Sequence, residues 1–188
     1  MKLLLTFCIS AFLILSCSSN KKTQEIIGLD LTYNLINEIL SDSTDEYLEN
    51  KKHCLSEITL LFPETPDFNA REFYKDIFNE DDTVNIYQQL KLEREFLIDS
   101  LKIEKMKILS KEVVDNEKKS ESFWSYVREN CSGCYITFSM PVFSKNNSLV
   151  YVKLGRMCGR LWGGGESRLY KRENGKWVLI KSFCKWIS

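Results

Sequence analysis

The first half of the chain carries its apolar residues mostly at helical spacing. Residues 29–40 are predicted to form an amphipathic helix, because apolar side chains recur there every three or four positions. A short helix is predicted over residues 69–78. A longer one begins at the Asp81-Asp82 N-cap, and another, capped by Ser120, ends near residue 130. The apolar stripe of the longer helix consists of Val84, Tyr87, Leu90, Leu97 and Leu101.

Two segments of the first half fit more than one element. Residues 46–62 suit a helix or a strand, and prolines at 63 and 66 mark a loop after them. Residues 103–109 alternate enough for an edge strand but also fit a continued helix. The mixed charges over residues 102–119 are most simply a solvated surface.

The second half changes to the pattern of strands. Four strands are predicted, over residues 135–143, 149–158, 166–173 and 176–183. Asn146-Asn147 and Asn174-Gly175 supply turns, and the glycine run 163–165 reads as the corner between the second and third strands. We therefore predict an α+β domain with N-terminal helices packed on a four-stranded antiparallel meander. The same order of elements occurs in the cone-shaped nuclear-transport-factor-2-like and cystatin-like folds.

Composition narrows the classes of function. The 188 residues suit one domain, and the 26 basic residues balance the 26 acidic ones. Zero net charge argues against a nucleic-acid partner, which binds through surplus positive charge. The single histidine, His53, leaves little basis for acid–base catalysis. It also lies far in sequence from the later cysteines, so we predict neither a metal site nor a cofactor.

The N-terminus has the pattern of an export signal. Residues 3–15 are almost wholly apolar, which is too short for a membrane span but suits a signal peptide. The stretch Ile14-Leu15-Ser16-Cys17 resembles the lipobox of bacterial lipoproteins. The resemblance implies cleavage after Ser16 and a lipid on the Cys17 thiol. It divides the chain into a signal peptide (1–16), a lipidated tether (17–27) and one α+β domain (28–188). An ordinary secretory peptide with an incidental Cys17 is the alternative.

The last third of the chain carries a second resemblance. Phe138-Ser-x-Pro-x-Phe143, Leu149-Val-Tyr-Val152, Cys158-Gly, Gly163-Gly-Gly, Asn174-Gly-Lys-Trp177 and Trp186-Ile-Ser188 are similar to a group of small uncharacterised bacterial lipoproteins. The resemblance implies an envelope location, attached to the membrane through the Cys17 lipid. In bacterial lipoproteins, an Asp directly after the lipidated cysteine signals retention in the inner membrane. Ser18 occupies that position here, so the resemblance to lipoproteins favours the outer membrane.

Five cysteines remain after the signal peptide and the lipidated residue are set aside, and export favours disulfides among them. Matching the apolar faces of the first two strands gives paired positions that sum to 292. In that register Cys134 lies opposite Cys158, at a separation that suits a disulfide. Cys131–Cys134 and Cys131–Cys158 are the next alternatives. The odd count leaves at least one thiol free or intermolecular.

Three further features bear on function. Cys131-Ser-Gly-Cys134 has the C-x-x-C form of redox enzymes, although it follows a helix and precedes a strand, the reverse of their order. Trp162 is a candidate exposed contact. Glu166 could line a cleft, but an exposed strand-end carboxylate is the simpler interpretation. We expect a non-catalytic binding or envelope-accessory module that acts on an envelope protein or cell-wall component. A thiol–disulfide oxidoreductase using Cys131 and Cys134 is the alternative.

Overall fold

The computed structural model describes residues 28–42, 44–48, 52–60, 77–117 and 121–187. The predicted signal peptide, lipobox and tether lie outside these ranges, as does nearly all of the predicted 69–78 helix. No helix within the described ranges combines the length and the apolar character that crossing a bilayer requires.

The strands form one mixed sheet, which corrects the predicted four-stranded antiparallel meander. The sheet has seven strands, in the order β2-β1-β3-β5-β6-β7, with β4 also paired to β5. Strand β1 runs parallel to both β2 and β3, whereas the later pairs are antiparallel. Strand β2 lies within residues 103–109, where the edge-strand alternative is confirmed, and β1 lies within residues 46–62, which suit a helix or a strand. Neither strand belongs to the predicted sheet, because three residues are too few to show a period. The bounds are β1 Cys54–Ser56, β2 Lys107–Leu109, β3 Tyr135–Phe138, β4 Val142–Phe143, β5 Leu149–Met157, β6 Gly163–Glu173 and β7 Lys176–Ile187.

Helices pack against both faces of the sheet. The side chains that α1 buries, among them Leu35 and Ile36, share the main core with Val150 and Val152 of β5. Tyr151, which alternates with them, packs on the other side with residues of α2. The α-helices are α1 Leu29–Ser41, α2 Thr83–Leu92, α3 Lys111–Glu117 and α4 Glu121–Asn130. Short 3-10 turns cover Glu80–Asp82, Glu93–Glu95 and Ser100–Lys102.

The predicted helices α1 and α4 are confirmed, while the Ser120 cap predicted for α4 lies outside the described residues. The prediction of one long helix after residue 81 is wrong. The α-helix ends at Leu92 and passes into a 3-10 turn, after which Leu97 forms a bridge with Ile58. Its predicted stripe is largely exposed, with Val84 at 70% and Leu101 at 93%. The sequence also gave no sign of α3, whose Val114 is buried within the segment taken as solvated surface.

The predicted register holds over β3 and then shifts. Phe138 pairs with Leu154 and Tyr135 with Met157, so both pairs sum to 292. Beyond residues 139–141, Val142 pairs with Tyr151, one position out of that register. The single strand predicted over residues 135–143 is therefore two strands separated by an irregular segment.

The glycine run lies inside β6, which corrects its prediction as a corner. Gly163, Gly164 and Gly165 pair with residues of β5, and the reversal is made by residues 158–162 instead. A Cβ on Gly165 would lie 2.5 Å from the Leu154 carbonyl oxygen and 2.8 Å from Trp186 Nε1. The missing side chain therefore gives the Trp186 indole room to approach the backbone of β6.

Gly165→Ala is expected to lower the free energy of unfolding by about 2 kcal/mol, since overpacking costs roughly 1–3 kcal/mol. Gly164→Ala is the matched control, because its nearest contact would be the Trp186 carbonyl oxygen at 3.2 Å. We expect it to cost less than about 1 kcal/mol. Urea unfolding of both variants checks this, and equal losses would show that the indole does not need the space.

Candidate functional site

A cleft of about 420 Å³ opens between the end of α1, the turn after it and strands β6 and β7. Its floor is formed by side chains of the two strands, and its rim by residues 42 and 44–46. Four carboxylates and one guanidinium belong to its lining: Glu38, Asp42, Asp45, Glu46 and Arg168. The remaining lining residues are Ile39, Thr44, Tyr170, Trp177 and Leu179.

Arg168 joins the sheet to the turn. It is only 5% exposed, and its Nη1 and Nη2 both bond the Asp45 carboxylate, with 3.2 Å between Nη2 and Oδ1. Its Nε donates to Glu166 Oε1 at 2.5 Å, and Nη1 also donates to the Tyr170 hydroxyl at 3.3 Å. Residues 166, 168 and 170 project from one face of β6 because side chains alternate along a strand. The strand thus presents a buried charge to a turn that is 123 residues away in sequence.

The surroundings of Arg168 favour the charged form of its guanidinium. Burial by itself would lower the pKa of the guanidinium. The hydrogen bonds and charge of Asp45, together with the Tyr170 hydroxyl, outweigh burial and raise the pKa of Arg168 above its usual range. Arg168 therefore carries a fixed positive charge in the floor of the cleft.

Glu166 is part of this network and not an exposed strand-end carboxylate, which corrects the simpler sequence interpretation. The residue is 4% exposed. Its Oε1 accepts from Arg168 and, at 3.3 Å, from the Ser182 hydroxyl. Its Oε2 accepts no hydrogen bond but lies 3.3 Å from the Lys185 ammonium, so its contact there is an ion pair. The Glu166 carboxylate at this distance raises the pKa of Lys185.

The rim of the cleft is shaped by two local hydrogen-bonded turns. Asp42 Oδ1 accepts from the Thr44 backbone N–H at 2.8 Å and from its hydroxyl at 2.7 Å. Asp45 Oδ1 likewise accepts from the Tyr47 N–H at 2.9 Å. Aspartates favour such turns because the short carboxylate reaches the backbone two residues on. The turns hold the Asp45 carboxylate where Arg168 meets it.

Trp177 lines the cleft, and Tyr47 lies beside Arg168 of its floor. The backbone N–H of Trp177 donates a hydrogen bond to Glu38 Oε1 at 3.0 Å, which ties β7 to α1. The Tyr47 ring lies near two guanidiniums, with the Arg168 group 5.7 Å and the Arg156 group 5.6 Å from its centroid. Positive groups favour such positions over a ring face.

Trp162 and Glu166, the two candidate contact residues, differ in their exposure to solvent. Trp162 is 49% exposed, as expected for a contact residue, whereas Glu166 is buried. The Arg156 guanidinium lies 5.3 Å from the Trp162 ring centroid and also faces Tyr47. One arginine therefore connects the exposed indole to the edge of the buried network.

Among the cysteines that the structure describes, four form two disulfides. Cys134 is bonded to Cys158, the first of the predicted pairs. Cys131 is bonded to Cys54, so neither of the predicted alternatives for Cys131 is formed. The pattern of residues 46–62 fits a helix or a strand and so does not place Cys54 beside Cys131. Cys184 is a free, exposed thiol.

The C-x-x-C motif is therefore divided between two disulfides. Redox motifs of this form exchange a disulfide between their own two cysteines. Here Cys131 is fully buried in its bond to β1, while Cys134 ties the start of β3 to the loop after β5. This arrangement gives the oxidoreductase interpretation no geometric support.

None of the charged lining residues of the cleft was predicted from the sequence: Glu38, Asp42, Asp45, Glu46 and Arg168. The one available signal was Glu166-x-Arg168-x-Tyr170, which places two charges on one face of a strand.

Among the residues described, no group of three or more His, Cys, Asp and Glu side chains is arranged to hold a metal ion. Comparison of the chain with protein-family models, curated proteins and solved structures finds no match.

Proposed function

We propose that the protein is a lipid-anchored binding module of a bacterial cell envelope, and that its cleft receives a positively charged group of an envelope protein or cell-wall component. The observation that carries the proposal is the cleft itself, where four carboxylates accompany one guanidinium. That guanidinium is already neutralised by Asp45 and Glu166. Lys185 lies 3.8 Å from Glu46 and 3.3 Å from Glu166, so five carboxylates (Glu38, Asp42, Asp45, Glu46 and Glu166) accompany two positive groups. The surplus negative charge favours a cationic ligand.

Two features make this cleft suited to binding. Its floor is held in place by buried ion pairs, and its rim by hydrogen-bonded turns, so little ordering is needed when a ligand enters. The carboxyl end of α1 also points its terminal carbonyls toward the Asp42 side of the rim, and helix C-termini favour cations. An ammonium group, as in a lysine side chain or an amino sugar, is the chemistry that fits.

Trilysine is expected to bind the purified chain in a saturable way. Asp42→Asn with Glu46→Gln removes two rim charges while Asn retains the oxygen that holds Thr44. Each ammonium–carboxylate contact is worth roughly 0.5–1 kcal/mol, so affinity should fall roughly five- to thirty-fold. Isothermal titration calorimetry measures it. Glu112→Gln, an exposed carboxylate on α3, is the control with the same type of charge change. If Glu112→Gln lost as much affinity for trilysine, the effect would come from the overall charge of the protein and not from the cleft.

The anchor is proposed from the lipobox, and the two disulfides support an oxidising compartment. Cys17→Ala is expected to move the protein out of the membrane fraction. The variant has no thiol to carry acyl chains, and the apolar stretch of residues 3–15 is too short to span a membrane. Cell fractionation and immunoblotting measure this. Cys8→Ala is the control, since that residue leaves with the signal peptide and its loss should change nothing. Retention of the Cys17→Ala protein in the membrane would refute the lipid anchor.

A further inference from the structure

A second cavity, of about 370 Å³, lies between α4 and the loop of residues 158–162. Trp124, Ser125 and Arg128 line it from the helix, and Cys158 and Arg160 line it from the loop. The Cys134–Cys158 disulfide fixes the loop close to the turn that follows α4. The walls of the cavity are thus joined covalently.

The charge in this cavity is opposite to that of the acidic cleft. Its lining contains two guanidiniums and no carboxylate. Arg128 Nη2 donates to Ser125 Oγ at 2.8 Å, which uses one of its five N–H donors. Within the described ranges, no carboxylate forms an ion pair with Arg128 or Arg160. Both guanidiniums therefore remain available to an anion from solution.

The cavity has a fixed aromatic wall and open space beside it. The Trp124 ring stacks on Tyr135, with 6.0 Å between centroids and 27° between planes, and meets Phe123 edge-on at 5.1 Å. Gly133 and Gly159 both have positive φ and contribute to the lining. A Cβ on either would meet nothing within 4 Å. The two glycines therefore leave space that a ligand can occupy.

From this geometry we propose that the cavity binds a phosphate group, with Arg128 and Arg160 contacting its oxygens. The planar guanidinium donates two parallel hydrogen bonds to an oxyanion, and two such groups on separate elements match the several oxygens of one phosphate. The Trp124 face supplies an apolar surface for the organic part of the ligand. A phosphate ester in solution and a phospholipid headgroup share this chemistry.

Two probes distinguish the sources. Glycerol 3-phosphate is titrated into the purified chain by calorimetry, with glycerol as the uncharged comparison. Vesicles of phosphatidylglycerol are tested by co-sedimentation, with vesicles of phosphatidylcholine as the zwitterionic comparison. Saturable binding of glycerol 3-phosphate assigns a soluble ester, and binding restricted to the anionic vesicles assigns a headgroup. Both outcomes support a phosphate site, and saturable binding to neither probe overturns it.

Variants connect the binding to this cavity. Arg128→Gln and Arg160→Gln are each expected to weaken binding about ten-fold, the equivalent of one lost charge-assisted hydrogen bond. Arg128→Lys keeps the charge and should weaken binding less. Lys171→Gln, an exposed residue paired with Glu173 on β6, is the matched control and should leave affinity within about two-fold. If the arginine variants bind as the parent does, or the control loses as much, the cavity is not the site.

A chemical readout checks the position independently of affinity. Cys158 lines the cavity, so a bound phosphate ester covers its disulfide. Dithiothreitol reduces that bond to two thiols while being oxidised to its own cyclic disulfide. We expect saturating ligand to slow reduction of Cys134–Cys158 severalfold and to leave Cys54–Cys131 unchanged. Equal rates with and without a ligand that binds would place that ligand elsewhere.

Discussion

Replacing Arg168 with methionine is expected to lower the free energy of unfolding by about 3–5 kcal/mol. The substitution removes the partner of two carboxylates, of which Glu166 is 4% exposed. Breaking a buried ion pair from one side leaves an uncompensated charge, which costs more than the pair itself contributes. Urea denaturation followed by circular dichroism measures the loss, with the slope of the transition compared between variants.

Three further variants test whether the loss of stability comes from the buried ion pairs. Arg172→Met, the same change at an exposed position of the same strand, should cost no more than about 1 kcal/mol, since it removes only an exposed cation–π contact with Trp177 at 5.8 Å. Arg168→Lys keeps the charge but not the paired bonds to Asp45, so its loss should be intermediate. Adding Asp45→Asn and Glu166→Gln to Arg168→Met should recover part of the stability. If Arg168→Met and Arg172→Met cost the same, the network is solvated and not buried.

Removing the Cys54–Cys131 disulfide is expected to cost about 4.5 kcal/mol. A disulfide stabilises mainly by restricting the unfolded chain, and the effect grows with the length of the closed loop. The two bonds span 77 and 24 residues, which gives about 4.5 and about 3.4 kcal/mol on the loop-entropy relation. Equilibrium unfolding of Cys54→Ala/Cys131→Ala and of Cys134→Ala/Cys158→Ala without reductant compares them.

Cys184→Ala is the control for this series. The thiol is free and exposed, so its removal should change stability by no more than about 0.5 kcal/mol. Peptide mapping of the non-reduced parent should recover Cys54 linked to Cys131. A parent in which those two thiols react freely with an alkylating reagent, or a Cys54→Ala/Cys131→Ala variant as stable as the parent, would contradict the pairing.

Local and periodic features could be predicted from the sequence. The helix α1 follows from apolar spacing, and the register that places Cys134 opposite Cys158 follows from matched apolar faces of two adjacent strands. The change of pairing register at residues 139–141 could not be predicted. An irregular segment changes which residues pair across the strands without changing the alternation of apolar and polar positions. Glycines at 163–165 suggested a turn, yet they serve a strand that an indole approaches closely.

Features that depend on distant parts of the chain could not be predicted. Strand β1 has three residues and no period, and it is defined by parallel pairing with β2 and β3. The Cys54–Cys131 bond depends on that pairing. Likewise Arg168 and Asp45 meet across 123 residues, and nothing in the 42–48 segment alone indicates a buried carboxylate. The candidate cleft is therefore a product of tertiary structure.

Amide chemical shifts during a trilysine titration test the proposed binding cleft most directly. If the cleft receives the ammonium group, the largest shifts of the ¹⁵N-labelled chain should fall on the rim at Thr44 and Glu46 and on the floor at Tyr170 and Leu179. They should saturate together and be lost in the Asp42→Asn/Glu46→Gln variant. Shifts that are scattered over exposed carboxylates such as Glu112, or that persist in the variant, would contradict a binding cleft at this position.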